Sequence, residues 1–190
     1  MKRARVPIRL QRAPIFIGCE GQSEMAYTGW LRNLVLDRDL PFYFVLSDLG
    51  RGAGDPFARV DMAIERVTRL ERNREPFLGR FLFLDTDQLT ADPGRAEQAR
   101  RQALEHSFTV IWQDPTHEAF LLRHLPGHDT DRPPDKRTAD AALAKQWADY
   151  RKPCAAKYLE QRLGLDGVRR VAAQLPALAD LLRTICLLEG

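Results

Sequence analysis

Pro14-Ile15-Phe16-Ile17-Gly18-Cys19-Glu20-Gly21-Gln22-Ser23-Glu24 opens the folded part of the chain, and the rest of its organisation follows from it. The apolar run 14–19 has the length and continuity of a strand buried on both faces of a parallel sheet. Glu20-Gly21 ends it. Ser23 is an expected N-cap for a helix over about 24–37, with Ala26, Trp30, Leu31 and Leu34 on one face. The same alternation repeats downstream. Strands are expected at 41–47, 80–84 and 108–112, and helices at 57–73, 93–106 and 117–125. A Pro- and Asp-rich stretch at 127–140 reads as an exposed loop. Two helices follow, over about 139–163 and 167–188, with Pro176 kinking or splitting the second. Strand–helix alternation of this kind predicts an α/β fold with a mostly parallel four-stranded sheet flanked by helices. The expected organisation is a basic arm (1–13), an α/β domain (14–126) and a helical C-terminal extension packed on it (127–190).

The composition agrees. A chain of 190 residues with 44% hydrophobic, 29% charged and 8% aromatic residues can bury a sizeable core and is unlike a disordered segment. No apolar run approaches the ~20 residues of a bilayer span. Pro7, Arg9, Arg12 and Pro14 break any signal-peptide core, so a cytoplasmic location is expected. Three widely spaced cysteines (Cys19, Cys154, Cys186) argue against a disulfide framework or a thiolate zinc site. The net charge of +3 is unevenly spread. Residues 1–19 carry five Lys/Arg and no acid, and residues 132–190 carry eleven Lys/Arg against seven Asp/Glu, so the middle is acidic. Basic flanks around an acidic middle suit a protein that holds a polyanion against metal-binding carboxylates.

Ligands of open parallel sheets bind beyond the carboxyl ends of the strands. There the first strand delivers Glu20 and the third delivers Asp85 and Asp87. Crowded carboxylates repel, and a cation is their natural compensation. Hard oxygen donors select Mg²⁺ or Mn²⁺, one ion or two. On an extended chain, Asp85 and Asp87 would share one side. Glu24, four residues after Glu20, is expected to face the same cluster, and Glu118 is a further metal candidate. Lys152 is a candidate for the scissile phosphate. Arg51, in the glycine-rich loop after the second strand, is a candidate phosphate contact, as are Arg3 and Arg5 of the basic arm. That loop lacks the Gly-Lys-Ser/Thr of a P-loop. His117, His124 and His128 are unevenly spaced for a metal site, and Cys19, Trp30, Trp112 and Trp147 read as packing residues.

The order strand–Glu-Gly–helix–strand–helix–strand–Asp-x-Asp–helix–strand resembles the Toprim fold. More narrowly, Cys19-Glu20-Gly21-Gln22-Ser23-Glu24-Met25-Ala26-Tyr27 resembles the opening motif of the RloB-like family, Toprim-type proteins of restriction and phage-defence loci. Phe83-Leu84-Asp85-Thr86-Asp87, Asp114-Pro115-Thr116-His117-Glu118-Ala119-Phe120-Leu121-Leu122-Arg123-His124 and Tyr150-Arg151-Lys152 resemble its later segments. Ser23, Asp114, His117 and Phe120 depart from the family pattern. The resemblance implies a divalent-metal-dependent nuclease in bacterial antiviral defence, acting on DNA or RNA, with a co-encoded defence or ATPase partner. It also implies Glu20, Asp85 and Asp87 as ligands or acid/base residues, with His124 bonded within the acidic cluster.

Two other readings compete. One is a nucleic-acid- or partner-binding subunit whose acidic cluster is structural. The other is a haloacid-dehalogenase-like phosphatase, for which Asp85-Thr86-Asp87 is a superficial match. That family places the motif on the first strand and a hydroxyl where Leu89 stands.

Overall fold

The computed structural model describes residues 12–50, 55–89 and 92–189. Arg3, Arg5 and Arg51 lie outside the described residues. Four strands alternate with helices in chain order: β1 (Ala13–Cys19), α1 (Gln22–Asp37), β2 (Phe42–Asp48), α2 (Pro56–Glu71), β3 (Gly79–Asp85), α3 (Pro93–Glu105) and β4 (Thr109–Gln113). Five more helices follow among the described residues: α4 (His117–Leu122), α5 (Lys136–Gln146), α6 (Ala156–Arg162), α7 (Gly164–Gln174) and α8 (Pro176–Thr184). The sheet is all parallel, in the order β2-β1-β3-β4. The expected α/β layout is therefore what the chain adopts.

The pleat sorts the strand residues into two cores. Ile15, Ile17, Phe81, Phe83 and Ile111 face one side, and Phe16, Leu82 and Leu84 face the other. The second side is covered by Val60, Ala63 and Val67 of α2 and Ala99 and Ala103 of α3. The first is covered by Tyr27, Trp30 and Leu31 of α1 together with residues of α4 through α8. The C-terminal helices thus share one continuous core with β1 and β3.

Three local expectations are corrected. Gly21, not Ser23, is the N-cap of α1, and its amide donates to Glu24 Oε2 at 2.9 Å. The helix expected over 139–163 is two helices, α5 and α6, separated by 147–155, where Trp147 leaves the helical region and Pro153 cannot donate. The helix expected over 167–188 begins earlier, at Gly164 (φ +64°), and Pro176 splits it, as expected, into α7 and α8. Gly167 is required where α7 meets the end of α4. A Cβ there would lie 2.8 Å from the His124 carbonyl oxygen.

An aromatic knot ties α1 to α4 over β3. The Tyr27 ring lies 5.0–6.0 Å from the rings of Trp30, Phe83, Phe120, His117 and His124. His124 Nδ1 is 2.8 Å from the Phe120 carbonyl and Nε2 is 2.9 Å from Tyr27 Oη, so Nδ1–H donates and Nε2 accepts from the phenol. Burial holds the His124 imidazole neutral, with its pKa lowered to about 3. The expectation that His124 bonds within the acidic cluster is corrected: its partners are Tyr27 and the Phe120 backbone. Tyr27→Phe would leave Nε2 buried without a donor. Chemical denaturation is expected to show a loss of about 1–2 kcal/mol, and an unchanged midpoint would remove this bond from the account.

Candidate active site

The strand order reverses between β1 and β3, and a crevice opens at such a switch point beyond the carboxyl ends of the strands. Every strand delivers a polar residue to this edge. Asp48 ends β2 beside Cys19, Glu20 follows β1, and Asp85 ends β3 opposite Gln113 at the end of β4. Gly50 closes the edge beside β2, where a Cβ would come within 2.5 Å of the Glu20 carbonyl oxygen. A pocket of ≈ 320 Å³ occupies the crevice, lined among others by Glu20, Glu24, Asp85, Glu118, Lys136 and Lys152.

Each acid is held differently. Glu20 Oε2 accepts from the Asp85 amide at 2.8 Å, and Oε1 lies 3.2 Å from Arg59 Nη2. Burial outweighs both partners and raises the Glu20 pKa above its ordinary value. Glu24 Oε1 lies 3.4 Å from His117 Nδ1. Glu118 sits on the first turn of α4, where Lys152 Nζ at 2.7 Å and the Tyr150 hydroxyl at 3.0 Å both reach Oε1. Burial opposes its charge, but the ammonium and the hydroxyl prevail and lower its pKa.

Among the described residues, Asp85 has no cation of its own. Burial, followed by the charges of Glu20, Glu24, Asp87 and Glu118, pushes its pKa up to about 9. Gln113 is its polar neighbour. With the amide oriented to satisfy both ends, Nε2 donates to Asp85 Oδ1 (3.2 Å) and Glu24 Oε1 (3.3 Å), while Oε1 accepts from His117 Nδ1 (2.7 Å). Burial lowers the His117 pKa, so this imidazole is a neutral donor.

The other candidates are distributed around this centre. The side-by-side geometry expected of Asp85 and Asp87 is corrected. The chain leaves the strand at Asp85, and the amides of Thr86 and Asp87 both donate to the Pro115 carbonyl at 3.1 Å. Asp87 is exposed at the rim while Asp85 is partly buried. Lys152 stands at the lip, 42% exposed, between Glu118 and Asp140. His128 pairs with Asp131 instead of joining His117 and His124. Cys19 is fully buried against Thr28, and burial raises its thiol pKa.

Four participants escaped the sequence reading. Arg59 carried a signal, because with Ala63 and Val67 it forms an i, i+4, i+8 row on the buried face of α2. Gln113 is the polar residue after an apolar run, as Glu20 and Asp85 are. His117 looked like a mismatched metal ligand and is instead the donor behind Gln113. Lys136 fell within the stretch read as loop and proves to be the first residue of α5.

Among the described residues, no three His, Cys, Asp or Glu side chains form a ready ligand set for an ion. The charge balance nevertheless fits a divalent cation. Glu20, Glu24, Asp85, Asp87, Glu118 and Asp140 face three cations, Arg59, Lys152 and Lys136. The excess is negative and surrounds Asp85. Mg²⁺ is commonly held by one or two carboxylates, with water and substrate phosphate filling an octahedral shell, so a closed protein cage is not required. Comparisons of the chain with protein-family models, curated proteins and solved structures find no match.

Proposed function

We propose that this protein is a divalent-metal-dependent phosphodiesterase that hydrolyses nucleic acid, with its active site at the β1/β3 switch point. The observation that carries the reading is Asp85: a partly buried carboxylate at the switch-point crevice, surrounded by acids and without a cation partner among the described residues. The motif resemblance to Toprim-type RloB-like nucleases points the same way, toward an antiviral role in bacteria.

Asp85 and Glu24 would hold Mg²⁺ or Mn²⁺ from the floor of the pocket, with Asp87 at the rim. When bound, such a cation supplies positive charge to the phosphoryl oxygens and acidifies water. The chain contributes the rest. Glu20, fixed by Arg59 and the Asp85 amide, is placed to take and return a proton, and its raised pKa brings it nearer neutrality. Lys152 and Lys136 flank the mouth, where they can hold a substrate phosphate. Gln113, anchored by His117, keeps Asp85 and Glu24 aligned.

The binding-subunit reading draws on one feature: Glu20 and Glu118 already have internal cations. The two diverge in purified protein given single- and double-stranded DNA and RNA. A nuclease cuts at least one of these with Mg²⁺ or Mn²⁺, stops in EDTA, and loses cleavage in Glu20→Ala. Nucleic-acid binding that persists in EDTA, with no cleavage of any substrate, would favour the binding subunit.

A further inference from the structure

A second cavity, of ≈ 830 Å³, lies beside the acidic pocket at the junction between α5 and α6. We propose that it receives an unpaired nucleobase, so that the substrate is a single strand or a flipped-out nucleotide. The proposal rests on the nuclease reading and specifies its substrate class.

The cavity has the size of a small-molecule site, within the range of about 300–1,000 Å³. Its walls bring one exposed aromatic ring, Tyr158, together with cations. Tyr158 stands on α6 with 61% of its surface exposed, although solvent exposure of so large a ring has no benefit for folding. Trp147 is buried in the opposite element, fixed against Tyr150 with ring centroids 5.4 Å apart. Aromatic rings of this kind stack on any base, because every base has a π-face.

The two arginines are prepositioned. Arg162 Nη2 donates to the Gln146 carbonyl at 2.7 Å, and Arg151 Nη1 donates to the carbonyls of Ala148 and Tyr150 at 2.9 and 2.7 Å. Their remaining N–H groups are available for phosphate or base edges. Against them the lining places one acid, Asp149. A positively biased aromatic cavity beside a negatively charged cation site matches the two ends of a nucleotide.

The cavity also adjoins the acidic pocket. Pro153 lines both spaces, and Lys152 before it reaches Glu118. Tyr150, which supports Trp147, donates to the same Glu118 oxygen. A base seated on Tyr158 would leave its phosphate toward the acidic pocket. A duplex keeps its bases stacked and could not enter without extruding one.

The test is fluorescence anisotropy in EDTA, with a labelled single strand as DNA and as RNA, its duplex, and the same strand carrying abasic positions. Wild type should prefer the intact single strand over the abasic one. Tyr158→Ala should weaken single-strand binding roughly tenfold, Tyr158→Phe should retain it, and duplex binding should be unaffected by either. Equal affinity for intact and abasic strands, or wild-type affinity in Tyr158→Ala, overturns the base pocket. If metal-dependent cleavage lost in Glu20→Ala persists in that case, the nuclease reading stands without it. If wild type neither binds nor cuts any nucleic acid, both fall together.

Discussion

Asp85→Asn should lose metal-dependent cleavage by roughly 1,000-fold or more, about 4 kcal/mol of barrier, while becoming more stable without metal. The two effects have one cause. In the folded chain, burial and four neighbouring carboxylates hold the Asp85 pKa near 9, against 3.8 for an ordinary aspartate. The folded protein therefore binds a proton that the unfolded chain releases. Stability from this group is fully present below pH 4 and is lost as pH rises through about 9. Glu118, whose pKa is lowered, acts in the opposite sense, but its window lies in acid. Replacing the carboxylate with an amide removes the cost of neutralising a group that the unfolded chain leaves ionised. A gain of about 1–2 kcal/mol at pH 8 corresponds to a rise in Tm of roughly 3–6 °C for a chain of this length. Scanning calorimetry in EDTA from pH 5 to pH 9 should show Tm falling with pH in wild type and a flatter profile in the variant. A variant that is less stable than wild type at pH 8 would mean that Asp85 is already compensated within the protein.

The second large effect belongs to Arg59. Its ion pair with Glu20 is buried, with side-chain exposures of 9% and 14%, so solvent screens it little. Removing one partner of such a pair leaves a buried charge alone, which costs about 3–5 kcal/mol. Arg59 Nε and Nη1 have no hydrogen-bond partner among the described residues, and this offsets part of the loss. For Arg59→Met we expect about 3 kcal/mol, or roughly 6–12 °C in Tm. Adding Glu20→Gln should restore more than half of it, since the amide needs no cation. Losses that simply add in the double variant would show that the pair is not coupled.

These effects also mark what a sequence can disclose. Glu20 and Asp85 were legible because each follows an apolar run that could only be a buried strand, and parallel sheets bring such ends to one edge. The order β2-β1-β3-β4, which puts those two strands side by side, is a tertiary fact with no local signal. Arg59 was hidden because an arginine is expected to face water, although its spacing from Ala63 and Val67 gave its position. Gln113 was hidden by one residue of strand boundary. His124 was misplaced because a motif conveys proximity along the chain, whereas its ring turns toward Tyr27. The break at 147–155 was missed although Pro153 signals it, and this break carries Tyr150 and Lys152 to Glu118.

The central claim is that the carboxylates at the switch point hold a divalent cation. Its most direct test is titration of the purified protein with Mn²⁺, followed by electron paramagnetic resonance of the free ion, in wild type, Asp85→Asn and Glu24→Gln. The account predicts saturable binding by wild type, strengthening from pH 6 to pH 9 as Asp85 gives up its proton. It predicts loss of that binding in Asp85→Asn and weakening in Glu24→Gln. Equal Mn²⁺ uptake by wild type and Asp85→Asn, or none by either, would contradict it.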